Sequence, residues 1–143
     1  MKKGFTLVEM VIVIAIIAVL SAIAIPQAAR MRIAGNISKA KGDLRALQSG
    51  VENYYIHHNN AYPTALSNLT SAVPKIIYTL PKDPFTNGAN YGYGLSANGT
   101  YYAMYSVGSA GDGAATVNEA GNITETDNAS CIYVSNAAED GQP

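Results

Sequence analysis

The chain has one cysteine and no tryptophan among 143 residues. A lone Cys131 excludes an internal disulfide framework. Two adjacent histidines, no cysteine pair and no phosphate-loop glycine pattern leave little material for a zinc or nucleotide enzyme. Basic residues stop at Lys82. From Asp83 onward Asp112, Glu119, Glu125, Asp127, Glu139 and Asp140 join it with no lysine or arginine, a local charge of −7. Nucleic acid as the main partner would require a broad basic face, so that class is excluded. The length suits one ordinary domain.

What is present is polarised. Residues 10–25 (MVIVIAIIAVLSAIAI) hold one non-apolar member, Ser21. As a helix, residues 5–25 span about 32 Å, close to the ~30 Å hydrocarbon core of a bilayer. Lys2 and Lys3 precede this stretch. A cleaved secretory signal shares the basic start, and Ser21 to Ala24 offers small residues for a cut. The length of the run and the helical pattern continuing through Pro26 argue instead for a retained membrane helix. Arg30, Arg32, Lys39, Lys41 and Arg45 lie closely behind it, and a simple positive-inside count favours the reverse orientation.

Glu9 is the informative residue. A carboxylate inside a membrane helix costs on the order of 3 kcal/mol, so something must compensate it. A cut after Gly4 would give Phe5 a new α-amine one turn before Glu9, in the same chain or a staggered neighbour. The alternative is a glutamate at the interface that reaches out to water.

The segment Lys2-Lys3-Gly4-Phe5-Thr6-Leu7-Val8-Glu9, then an apolar run and Pro26, resembles the leader and N-terminal helix of type IV pilins and type II secretion pseudopilins. The resemblance implies cleavage between Gly4 and Phe5 by a membrane prepilin peptidase, which also N-methylates Phe5. It implies that Glu9 guides docking into a filament by pairing with a neighbour's Phe5 amine, and that Pro26 marks a helix break on assembly. It assigns no catalytic residue, requires no cofactor, and implies self-association into a helical filament. An inner-membrane assembly platform, minor pilins and the lipid bilayer are the other partners implied. The N-terminus is then cytoplasmic and the domain periplasmic or extracellular.

Beyond Pro26 the apolar pattern becomes one-sided. Ile33, Ile37, Ala40, Leu44, Leu47, Val51 and Tyr54 form a stripe of 4- and 3-residue spacings, which predicts an amphipathic helix packed on the C-terminal domain. It should end near His57-His58-Asn59-Asn60; the two histidines read as surface groups. Residues 59–85 are a proline-punctuated connector, in which Thr64 is expected to cap a short helix over 65–72. Strand-like runs lie at 91–95, 100–107, 115–117 and 131–135, and Asn98-Gly99 marks a hairpin. The tail from Asn136 reads as frayed. Tyr91, Tyr93, Tyr101 and Tyr105 are expected to fill sheet faces. The Asn-X-Ser/Thr triplets at Asn36, Asn68, Asn98, Asn122 and Asn128 read as a polar exterior.

The expected fold is α+β and pilin-like. A long helix, transmembrane in its first half and amphipathic in its second, packs on a small antiparallel sheet. The segments are a leader (1–4), a membrane and filament-core half-helix (5–29), an amphipathic half-helix (30–58) and a small globular domain (59–143). Asn60-Ala61-Tyr62-Pro63, Leu80 to Phe85, Tyr91-Gly92-Tyr93 and Tyr105 to Gly108 extend the resemblance toward the major pseudopilin. That resemblance implies calcium in the C-terminal loop, with Ser106, Asp112 and Asp127 where ligands would be carried over. The spacing before Asp112 is altered and Thr126-Asp127-Asn128 replaces the usual two-acid run, so an ordinary Gly/Asp turn is the alternative. Three functions are expected, in this order: a structural subunit of a type IV pilus-like filament; a calcium-binding major pseudopilin of type II secretion; and a membrane-tethered periplasmic enzyme or binding protein.

Overall fold

The computed structural model describes residues 4–126 and 130–137. The chain divides into two compact units, Met1–Gly35 and Asn36–Pro143. One helix, α1 (Leu7–His57), contributes to both.

In the first unit the apolar side chains of α1 face outward on every side. Val8, Val11, Ile14, Ile17, Leu20 and Ile23 are all exposed. A helix apolar all round needs an apolar surround, here lipid or other helices. Helix α1 is long and apolar enough to cross a membrane. The helical assignment runs through Pro26 without interruption in the single chain; the break implied at Pro26 concerns the assembled form.

In the second unit the predicted stripe becomes a core. Ala40, Leu44, Leu47 and Val51 are buried at the i, i+4, i+7, i+11 positions of α1, whereas Ile33 is exposed. Asn59 and Asn60 stop the helix with φ near +56°, a left-handed conformation that asparagine tolerates better than most residues.

The short helix α2 (Asn68–Ser71) is shorter than the sequence suggests and starts after Ser67. Thr64 does not cap it; its hydroxyl accepts from Asn68 Nδ2 at 3.2 Å. Leu66 and Leu69 anchor the segment in the core beside α1. Two buried leucines three residues apart fix a single turn, and no longer apolar periodicity sustains more.

Strands β1 (Gly92–Leu95), β2 (Tyr102–Ser106) and β5 (Ile132–Ser135) form an antiparallel sheet in the order β1-β2-β5. Strands β3 (Ala114–Val117) and β4 (Ile123–Thr126) pair as a separate hairpin. The β1–β2 turn is the expected Asn-Gly turn: Gly99 has φ +72° and Ser96 N donates to Tyr101 O. Strand β4 has no counterpart among the expected runs, because Ile-Thr-Glu-Thr is mostly exposed and carries one large apolar residue.

The sheet has two distinct faces. Tyr93, Leu95, Tyr102, Met104, Ile132 and Val134 belong to the core with α1. The register places Tyr93, Met104 and Val134 in one row. On the other face the Tyr105 ring covers Gly92, and Ala103 is fully buried. Here β3 packs on β1 and β2, and the hairpin's Gly121 abuts the Tyr101 ring. The second unit is therefore helix, sheet and hairpin in layers. Asn136 is not frayed, contrary to the sequence expectation. Its Oδ1 accepts from Tyr102 N at 2.8 Å and its Nδ2 donates to Thr100 O at 2.9 Å, tying the end of β5 to β2.

Candidate functional site

The N-terminal site starts with Thr6. Its backbone N–H and its hydroxyl both donate to Glu9 Oε2, at 2.8 and 2.7 Å. Glu9 N in turn donates to Thr6 Oγ1 at 3.3 Å. This reciprocal Thr-x-x-Glu arrangement is a capping box, which satisfies donors that a helix start leaves unpaired. The sequence singles out Glu9 through its place in an apolar run, with Phe5 as its compensation; the Thr6 spacing is the further signal of a cap. Both contacts fall on Oε2, so among the described residues Oε1 takes no hydrogen bond. Gly4 and Phe5 precede the box and are exposed, leaving the bond between them open to a protease. The site therefore combines an exposed Gly4-Phe5 pair, a fixed carboxylate and a carboxylate oxygen that has no partner among the described residues.

The second candidate region surrounds Ser106, and its geometry is structural. Asp83 is buried, with 2% exposure, and has no cationic partner among the described residues. Its Oδ1 accepts from Ser106 Oγ at 2.8 Å and Phe85 N at 3.0 Å, and its Oδ2 from Val107 N at 3.0 Å. Ser106 Oγ also accepts from Gly108 N at 3.3 Å. The Ser106 hydroxyl thus donates its proton to Asp83 and accepts one bond from Gly108 N. Asp112 is exposed in the turn before β3, and Asp127 lies outside the described residues. No group of three His, Cys, Asp or Glu able to hold a metal occurs among the described residues. These donors do not by themselves make a calcium site, which needs six to eight oxygens.

Two further carboxylates fix α1 to the domain. Glu52 Oε1 accepts from Tyr102 OH at 2.6 Å and its Oε2 from Tyr62 OH at 3.4 Å. Asp43 pairs with Lys39 at 2.8 Å and accepts from Tyr91 OH at 2.9 Å. Burial first, then the partner carboxylate, pushes the Tyr102 and Tyr91 phenols well above their ordinary value. Burial, with Glu125 and Asp83 charge beside it, pushes the Cys131 thiol up to about 11. It therefore stays a protonated, unreactive thiol at neutral pH.

Residues 29–126 match the family model for type II secretion system protein G. The chain belongs to the type II secretion system protein G family. Residues 1–25 match the prokaryotic N-terminal methylation motif. The protein G relatives include the type II secretion system core protein G of Pseudomonas aeruginosa, 29% identical over 83% of this chain and 92% of that protein. The Escherichia coli core protein G is 32% identical over 60% of this chain and 68% of that protein. The Myxococcus xanthus type IV major pilin PilA is 42% identical, over 38% of this chain and 24% of that protein. No solved structure gives a significant match.

Protein G membership reverses the order of the first two functional readings. The sequence alone puts the pilus-like filament subunit first, and the secretion pseudopilin is the better supported. The family consists of structural pseudopilins and pilins rather than enzymes, which removes the tethered-enzyme reading. Membership implies processing by a prepilin peptidase and self-assembly into a filament, and the apolar start of α1 agrees with inner-membrane anchoring before assembly.

Proposed function

We propose that this chain is a major pseudopilin of a type II secretion system, whose filament moves folded proteins outward. Its match to protein G over residues 29–126, which include the amphipathic half of α1 and strands β1 to β4, carries the reading. The chain waits in the inner membrane with its N-terminus in the cytoplasm and its domain in the periplasm. A prepilin peptidase cuts after Gly4 and methylates the Phe5 amine. The unclaimed Oε1 of Glu9 then meets the Phe5 amine of a neighbour. An uncompensated carboxylate disfavours the lipid by on the order of 3 kcal/mol; pairing removes that cost only in the assembled bundle. Apolar residues leaving lipid are buried again between helices, so transfer into the filament loses little hydrophobic stabilisation.

The test is complementation in a strain lacking its own copy. The wild-type chain should restore export of a secreted protein, and Glu9→Ala should be present in the membrane at wild-type level yet restore none. Full export with Glu9→Ala would refute the assembly mechanism. Restored surface fibres without restored export would favour the type IV pilin reading, which the Myxococcus xanthus match keeps in view. Calcium, if bound, would draw on Ser106, Asp112 and Asp127, the positions that the family resemblance carries over. A calcium-dependent rise in melting temperature, absent in Asp112→Ala, is the expected sign. Identical melting with calcium and with chelator would remove the metal from the account and leave the family intact.

A further inference from the structure

Apart from the exposed connector residue Lys75, the charges of the second unit that lack an internal partner among the described residues lie on two separate layers. In the second unit Asp43, Glu52 and Asp83 are all taken by internal donors. Lys39 holds Asp43, and Lys82 Nζ donates to Asn90 Oδ1. Lys41 and Arg45, one turn apart on α1, are exposed and have no acidic partner among the described residues. At the other side, Asp112, Glu119 and Glu125 on and beside the β3–β4 hairpin are exposed and have no basic partner there either.

Within one copy these groups belong to layers on opposite sides of the sheet. The hairpin packs on the sheet face that carries Tyr101 and Ala103, and α1 packs on the face that carries Tyr102 and Met104. Two layer spacings of about 10 Å each separate them, more than the ~8 Å screening length at physiological salt. Complementary charges held apart within a copy are free to meet between copies, where they set register and orientation more than raw affinity.

We propose that the Lys41–Arg45 turn of α1 docks on the acidic β3–β4 hairpin of a second copy of this chain. The docking rests on self-assembly of the chain and names a contact that the Glu9 site does not supply. The hairpin acids then select which neighbour seats against α1, while the apolar helices provide most of the binding.

The experiment is a charge swap in the full-length chain, expressed in the strain lacking its own copy. Lys41→Glu with Arg45→Glu should cut filament recovery by about ten-fold, as should Glu119→Lys with Glu125→Lys. All four together should restore recovery to within about three-fold of wild type. Membrane levels of each variant report folding. A second measurement avoids charge reversal: Arg45→Cys and Glu119→Cys on a Cys131→Ser background should link between copies with a bismaleimide. No rescue in the four-site variant, or no cross-link when each site still reacts with a single maleimide, overturns the docking while wild-type filaments stand. Loss of membrane retention in the helix variant alone would assign the basic turn to anionic lipid instead and overturn it too. Absence of filaments from the wild-type chain would overturn the assembly reading itself.

Discussion

At the residue scale, the chain relies on a few backbone positions that accept no side chain. Gly108 has φ +70°, and a β-carbon there would run into the Ser130 carbonyl. Backbone cannot retreat as a side-chain tip can. Gly108→Ala should therefore cost about 3 kcal/mol or more, read as a fall in the denaturant midpoint of the full chain in detergent. An unchanged midpoint would mean the β2–β3 connection is not packed as described. Gly92 is a gentler case, since the Tyr105 ring that covers it can turn aside. The Glu52–Tyr102 bond is the other residue-scale test. Glu52→Gln, Tyr102→Phe and the double variant should show a coupling of about 1–3 kcal/mol, because the charged acceptor is part-buried and its phenol partner is fully covered. Additive losses would contradict a direct bond.

At the scale of elements, the buried stripe from Ala40 to Val51 is legible in the sequence because helical periodicity is a strong signal over several turns. Strands β1, β2, β3 and β5 are legible from their tyrosine and β-branched content and from the turns between them. Strand β4 is not, because its burial is slight and Ile123 is its one large apolar residue. The extent of α2 is not legible either, because Leu66 and Leu69 fix it through packing with α1, which no local window contains. The Thr6–Glu9 box is present in the sequence as a Thr-x-x-Glu spacing, but the apolar setting of Glu9 masks its role as a cap. Gly50 shows packing deciding an element's position. A β-carbon there would lie 2.7 Å from Ile77 Cδ1, so the connector crosses α1 where the helix is thinnest. Leu69→Ala, which empties that same crossing, should destabilise by about 2–5 kcal/mol, whereas Val73→Ala, at a 91% exposed position, should change little.

At the scale of the whole molecule, the domain is held to α1 by Tyr62, Tyr91 and Tyr102, which donate to α1 carboxylates, while Tyr93 donates to the Pro63 carbonyl within the domain. Tyr91, Tyr93 and Tyr102 are all raised from 10.0, first by burial. The folded state keeps these protons while the unfolded chain releases them above about pH 10, so fewer protons are bound on unfolding and stability falls as pH rises. The contribution is whole below that pH and disappears above it. Denaturant titrations at neutral pH and above pH 10 should show a falling midpoint, and the phenolate absorbance should include a cooperative step that coincides with unfolding. Ionisation of all ten tyrosines without unfolding would show that these three phenols are not held as described. The calcium expectation is the least legible part. Ser106 enters only through the family resemblance, and only the fold shows that its hydroxyl donates to Asp83, 23 residues earlier. The acidic surplus after Lys82 is plain from composition, but the placement of Asp112, Glu119 and Glu125 on a layer remote from Lys41 and Arg45 emerges only once the sheet is in place.

The central claim is that Glu9 is tolerated in the apolar segment because proteolysis creates the amine it pairs with. Intact mass and N-terminal sequencing of the chain recovered from the assembled fraction test it most directly. The account predicts a polypeptide that begins at N-methylated Phe5 and retains the whole apolar segment through Pro26. A chain that still carries Met1 to Gly4, or one that begins after Ala24, would contradict it.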